Sequence, residues 1–242
     1  MHQMKNARAV QHGFTLAELA VVLTILTILA GALVIPFRGQ LELRQRQQTE
    51  ALLADAQAAL IGFAAVHGRL PCPTTQTNPA DAGYGQESID ALTGNCVVTS
   101  EGMLPWRTLG LAAFDAWGQP RSAPADPWTG HFRYRVDSGF ARLSPRIAPD
   151  TAYGDEIKVV DHAANAITVS TYSGAEALKN TVAVALVYST GPDLAANGAN
   201  ASYESAADAT YEQGEPTQTF DDIVTWIGRP LLIARMAEAG GV

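Results

Sequence analysis

Few residues in this 242-residue chain are placed to do chemistry, and the first of them is a lone carboxylate. Glu18 follows Gly13-Phe14-Thr15-Leu16-Ala17 and heads nineteen uncharged residues, Leu19 to Phe37. An intramembrane carboxylate costs on the order of a few kcal/mol near the bilayer centre, less toward an interface, and usually marks function. The plainer alternative is a glutamate resting among headgroups. A second set of acids is Asp193, after Gly191-Pro192, and Asp221-Asp222, on either side of a polar Gly/Asn-rich stretch. Calcium takes six to eight oxygens and mixes carboxylates with loop carbonyls, so Asp193, Asp221 and Asp222 form a candidate calcium site. The competing reading has Asp193 in a turn and Asp221 or Asp222 capping a following helix. Cys72 and Cys96 are the only cysteines, with 23 residues between them, and the five histidines are scattered, which leaves a zinc site without its other ligands. Outside the cytoplasm the two would form one disulfide, stabilising by about 3.5 kcal/mol in the chain-entropy account; otherwise they are two buried thiols. No G-x-S-x-G elbow, catalytic triad or phosphate-binding glycine loop occurs, and nothing asks for an enzyme.

The elements that must hold these residues begin with the apolar run. At ~1.5 Å per residue, Phe14 to Phe37 spans a ~30 Å hydrocarbon layer. Ala30-Gly31-Ala32 offers a small-x-small signal-peptidase site, but Leu33-Val-Ile-Pro-Phe37 continues the apolar run beyond it, which argues against cleavage there. Helical spacing then continues through Leu41, Leu52, Leu53, Ala56, Leu60, Phe63 and Ala64, with Arg44, Gln47, Gln48, Glu50 and Asp55 on other faces. The spacing predicts a helix from about Phe14 to His67, roughly 80 Å long, loosened at Pro36 and Gly39 and stopped by Gly68 and Pro71. Pro71 to Met103 reads as a long loop containing both cysteines. Phe132-Arg-Tyr-Arg-Val136 alternates like a strand, and Glu156–Asp161, Ala166–Tyr172 and Thr181–Ser189 are further strands. Asp161 to Asn165 is a hairpin turn, and the apolar middle of Thr181–Ser189 marks a central strand. Thr190 to Thr219 reads as loop. Asp221-Asp222 heads Ile223-Val-Thr-Trp226-Ile, acidic residues suit the start of a final helix over Leu231 to Ala239, and Gly240-Gly241 suits its end.

Gly13-Phe14-Thr15-Leu16-Ala17-Glu18 followed directly by an apolar helix resembles the type IV prepilin family, which includes the pseudopilins of type II secretion. The resemblance implies that prepilin peptidase cuts between Gly13 and Phe14 and methylates Phe14, making Glu18 the fifth residue of the mature chain. A new α-amino group on a neighbouring subunit would then neutralise Glu18 during assembly. Cutting also moves the net charge from −8 to −10, because residues 1–13 carry Lys5 and Arg8 and no carboxylate. Asp115-Ala-Trp117-Gly118 and Asp126-Pro-Trp128-Thr-Gly130 resemble turns of the major pseudopilins; the plain reading is that Trp117 and Trp128 plug the helix against the sheet. The same resemblance implies calcium in a C-terminal loop, through Asp221-Asp222-Ile223.

Hydrophobic residues make up 47% of the chain and charged residues 17%, enough for a packed core, and no basic cluster points to nucleic acid. Two Lys/Arg precede the span and Arg38, Arg44 and Arg46 follow it, so the positive-inside rule does not orient it. The expected fold is α+β, a long N-terminal helix packed on a roughly four-stranded antiparallel sheet with irregular loops. The expected parts are a leader (1–13), a transmembrane and filament-core helix (14–37) and a soluble pilin-like domain (38–242). That domain divides into a helix continuation (38–67), a loop region with the cysteine pair (68–130), and the sheet with its C-terminal helix (131–242). The expected function is a structural subunit of a type IV pilus or type II secretion-like filament. Its partners would be prepilin peptidase, other pilin or pseudopilin subunits and an inner-membrane assembly platform, with the soluble domain in the periplasm. Length and elaborated loops point to a minor subunit or specialised pseudopilin. The alternative is a membrane-anchored periplasmic binding or enzymatic domain.

Overall fold

The computed structural model describes residues 15–98, 100–117, 130–155, 157–168, 182–202 and 209–241. The chain divides into two compact units, Met1–Arg44 and Gln45–Val242. Helix α1 (Leu16–His67) starts in the first and ends in the second, and is helical throughout, Pro36 and Gly39 included. In the first unit every side chain from Thr15 to Leu29 is exposed. Among the described residues, Gly39–His67 is long and apolar enough to cross a membrane by length and composition, and Leu16–Leu29 is a shorter apolar helix. In Gly39–His67, however, Leu53, Ala56, Leu60 and Ala64 belong to the core of the second unit, so its apolarity serves folding.

The second unit is built on a four-stranded antiparallel sheet. Strands β1 (Gly102–Met103), β2 (Arg133–Val136), β4 (Ala183–Ser189) and β6 (Ile223–Gly228) lie in that spatial order. The α+β layout is the one expected. Thr181–Ser189 becomes the buried central strand β4, as its apolar middle predicts, and a register irregularity between Ala183 and Ala185 turns Val184 to the helix-facing side. One face of the sheet packs Phe132, Tyr134, Val136, Val187, Ile223 and Ile227 against the Leu53–Ala64 stripe of α1, and against Leu232 and Met236 of the C-terminal helix α2 (Arg229–Glu238). Such burial stabilises by about 1.5–3 kcal/mol per large apolar side chain.

The helix stops where predicted. Gly68 has φ +71°, a left-handed conformation that glycine adopts without a Cβ clash, and its N–H donates to the Ala64 carbonyl at 2.7 Å. The loop that follows is closed by a disulfide between Cys72 and Cys96, with Cα atoms 5.3 Å apart. Asp115 shapes the first tryptophan turn, accepting from Trp117 N at 3.1 Å and from Ser189 Oγ at 2.8 Å. Trp117 is half-buried against the main core, as a plug would be. Trp128 and the rest of the second turn before Gly130 lie outside the described residues.

Three expectations are corrected. Thr190 to Thr219 is not all loop: it contains a 3-10 turn (Gly198–Ser202) and strand β5 (Thr210–Glu212). β5 pairs in parallel with β3 (Lys158–Val160), forming a second layer over the far side of the main sheet. Three residues give too short a pattern to read, but Tyr211, Ile157 and Val159 cover Leu186, Tyr188 and Val224, which would otherwise face water. Second, the final helix is not opened by acids. Gly228 precedes it, Pro230 lies in its first turn with no acidic residue, and Asp221-Asp222 instead precede β6. Its predicted end holds, with Gly241 N donating to the Met236 carbonyl at 2.8 Å. Third, Glu156–Asp161 narrows to β3, and its partner is β5. The turn is nonetheless present: Asp161 Oδ1 accepts from Ala163 N and Asn165 N, and Val160 bridges to Ala166. Residues 169–172 of the other proposed strand lie outside the described residues.

Candidate functional site

At the start of α1, Thr15 and Glu18 satisfy each other. Thr15 N and Thr15 Oγ1 donate to Glu18 Oε2 at 2.8 and 2.9 Å, and Glu18 N donates to Thr15 Oγ1 at 3.2 Å. This is a capping box, Ser/Thr at the cap and Glu three residues on, which closes otherwise unpaired N–H groups of the first turn. Sequence reasoning placed Glu18 as a docking group or as a glutamate resting among headgroups; Thr15-Leu-Ala-Glu18 was the signal that it also starts its own helix. Thr24 Oγ1 donates to the Ala20 carbonyl and Thr27 Oγ1 to the Thr24 carbonyl, both at 2.8 Å. Between Thr15 and Leu29 the hydroxyls are therefore satisfied within the helix, and Glu18 is the only charge. Gly13 and Phe14 lie outside the described residues.

The three aspartates of the second candidate site lie around one asparagine, Asn197. Asp193 N donates to Asp221 Oδ2 at 3.4 Å. Asn197 links all three, donating from its amide to Asp222 Oδ2 at 2.9 Å and from Nδ2 to Asp193 Oδ2 at 3.3 Å, while its Oδ1 accepts from Asp221 N at 2.9 Å. Asn200 Nδ2 also donates to Asp222 Oδ2, at 2.8 Å. Burial pushes Asp222 up to about 7, against the bonds from Asn197 and Asn200 that favour its charge. Burial and the neighbouring Asp193 push Asp221 up to about 6. Asp221 Oδ1 and Asp222 Oδ1 are both buried without a hydrogen-bond partner, an arrangement that calls for an explanation. Among the described residues, no three acidic, His or Cys side chains converge as a ready-made metal cluster. Loop carbonyls would have to complete a coordination shell.

A third polar cluster went unread. Glu101, 2% exposed, accepts from Tyr188 Oη at 2.9 Å and Tyr211 Oη at 2.8 Å, and its Oε1 lies 3.4 Å from Arg133 Nη1. Arg133 and Arg135 are 1% and 0% exposed. On an alternating strand, arginines ordinarily mark the wet face. Here the β3–β5 layer covers that face, so a buried ion pair with tyrosine hydroxyls stands where solvent was expected. Burial pushes Glu101 up to about 7, against Arg133 and the two hydroxyls, which favour its charge. All its acceptors are satisfied by neighbours, so the cluster reads as architecture.

Comparison with known families places the prokaryotic N-terminal methylation motif on residues 8–34. This is the prepilin-type cleavage and methylation signature of type IV pilins and pseudopilins, and the chain carries it. It supports a precursor of the type IV pilin or pseudopilin type, and suggests a structural, non-enzymatic subunit. In general terms it implies processing by prepilin peptidase and assembly with other pilins, and it is compatible with membrane anchoring. Comparison with curated proteins and with solved structures finds no match.

Proposed function

We propose that the chain is the precursor of a type IV pilus or type II secretion-like filament subunit, a minor pilin or pseudopilin. Prepilin peptidase removes residues 1–13 between Gly13 and Phe14 and methylates Phe14. The helix from Phe14 to Phe37 holds the subunit in the inner membrane with its soluble domain in the periplasm, and later packs in the filament core. The methylation motif at residues 8–34 carries this reading. The exposed apolar surface of Leu16 to Leu29 supports it, since a helix apolar all round requires neighbours or lipid. In the uncut chain Thr15 holds Glu18; in the assembled filament Glu18 exchanges this local partner for the α-amino group of an adjacent subunit. Mass spectrometry after co-expression with a prepilin peptidase tests the reading. A chain starting at methyl-Phe14 is expected; an uncut Met1, or cutting after Ala32, overturns it.

The unpartnered oxygens of Asp221 and Asp222 favour one addition: a calcium ion held by Asp193, Asp221 and Asp222 with loop carbonyls. A bound ion would supply the positive charge these acids lack and fix the loop between β4 and β6. Saturating calcium at a hundred times its Kd is expected to stabilise the folded chain by about 2.7 kcal/mol. Denaturation that is identical with calcium and with a chelator removes the ion from the account.

A further inference from the structure

A cavity of about 330 Å³ lies between the disulfide loop and the loops after β2. Its lining includes Asn95, Cys96, Ser138, Arg142, Tyr153 and Gly154. This volume falls within the ~300–1,000 Å³ typical of small-ligand pockets. Among the described residues of the lining Arg142 is the only charged side chain, and its Nε is buried without a partner. Among the described residues none makes a hydrogen bond or ion pair with it. Arg142 is half-buried, and its guanidinium, always charged and with a rigid fork of donors, is suited to an anion in the cavity.

The walls are held in place independently of any ligand. Asp137 Oδ1 accepts from Gly139 N and Gly154 N, both at 2.8 Å, and its Oδ2 from Asp155 N at 2.9 Å. Asp155 Oδ2 accepts from Ser138 N at 2.7 Å. These carboxylates therefore fasten two loops together through backbone amides, from behind the wall. The loops approach so closely that a Cβ at Gly139 would meet the Ala152 carbonyl and one at Gly154 would meet Ser138 Oγ. On the other side, Leu143 N donates to the Gly94 carbonyl at 2.8 Å, and the disulfide fixes the loop carrying Asn95. The Arg229 guanidinium stands 5.5 Å from the Tyr153 ring centre and packs on that ring.

We infer that this cavity binds a small oxyanion, a carboxylate or phosphate carried on a body no larger than a sugar ring. Arg142 would grip the anion through its donor fork, Ser138 and Asn95 would meet polar edges, and the Tyr153 ring would face the ring carbons. No lining residue belongs to the methylation motif at residues 8–34, so the site stands whether or not that segment assembles as proposed.

Isothermal titration of the full chain in detergent micelles tests it, with glucuronate and glucose 6-phosphate as probes and glucose as the uncharged control. Binding of one or both anionic sugars is expected, without binding of glucose; the one that binds tells carboxylate from phosphate. Arg142→Gln should weaken binding by about tenfold or more, and Arg142→Lys, which keeps the charge but not the fork, by less. Arg235→Gln, at an exposed position of the C-terminal helix, should leave it unchanged. The site is overturned if neither anion binds, if glucose binds equally well, or if Arg235→Gln weakens binding as much as Arg142→Gln. Should the glutamine variant fail to fold, Arg142→Lys decides: unaltered affinity excludes the site.

Discussion

Between Leu16 and Leu29 every side chain of α1 faces outward, whereas farther along the same helix Thr49, Leu53, Ala56, Leu60 and Ala64 form a buried stripe. Both stretches are rich in Leu, Ile, Val and Ala. In the second, polar residues on the other faces leave one stripe for the domain's own sheet. In the first, apolar residues run right round, so no single face can satisfy them. One helix therefore carries a stripe for folding and, on the function proposed, a half for association, and substitutions should separate the two.

The largest separation should come from Leu60→Ala against Leu23→Ala. Leu60 is fully buried, so its truncation is expected to destabilise the domain in the upper part of the ~2–5 kcal/mol range for such sites. Leu23→Ala should leave chemical denaturation of the same full chain in micelles unchanged; an equal loss from both would break the contrast. Removing the staple beyond the buried half, with Cys72→Ala and Cys96→Ala together, should cost about 3.5 kcal/mol by the same measurement.

Acidity should sharpen the contrast further. The ordinary glutamate value is 4.5 and burial lifts Glu101 to about 7, so the folded state holds this proton more tightly than the unfolded chain does. Stability from this group is full below about pH 4.5 and is lost as pH rises through about 7. Asp222, lifted to about 7, acts with the same sign. The denaturation midpoint of the domain should therefore fall between about pH 5 and pH 7.5, and Glu101→Gln should remove part of that slope. A midpoint that rises over this range contradicts the assignment. The smallest effect belongs to the exposed half: Thr15→Ala should loosen the first turn by about 1 kcal/mol, read as faster amide exchange at Leu16 to Leu19 with no change in the domain.

What could be read in advance follows the range of each signal. The methylation motif, the stop at Gly68 and the strands around Tyr134 and Leu186 depend on neighbours within a few positions, and all were legible. Arg133 and Arg135 were not, because their burial depends on Tyr211, more than seventy positions away, arriving in a three-residue strand. The aspartates at 193, 221 and 222 were recognised as a group, but Asp221-Asp222 were misplaced against a helix. Acids before a β-branched run suit either a helix start or a strand edge, and only the pairing of β6 with β4 decides between them. Arg142 carried no signal at all, since one arginine in a loop gives no hint that its partner is missing.

The threonines of the first turns have one more consequence. Thr24 and Thr27 return their hydroxyl protons to carbonyls of their own helix, and Thr15 gives its proton to Glu18. From Thr15 to Leu29 the outer surface thus has one polar landmark and is otherwise greasy and uniform. A neighbour sliding along this stretch would find many positions of similar packing energy and a single place where charge is matched. In the proposed filament, alignment along the axis would then be set at one end, like a rule with a single graduation, and the rest of the stretch would be free to vary in sequence so long as it stays apolar.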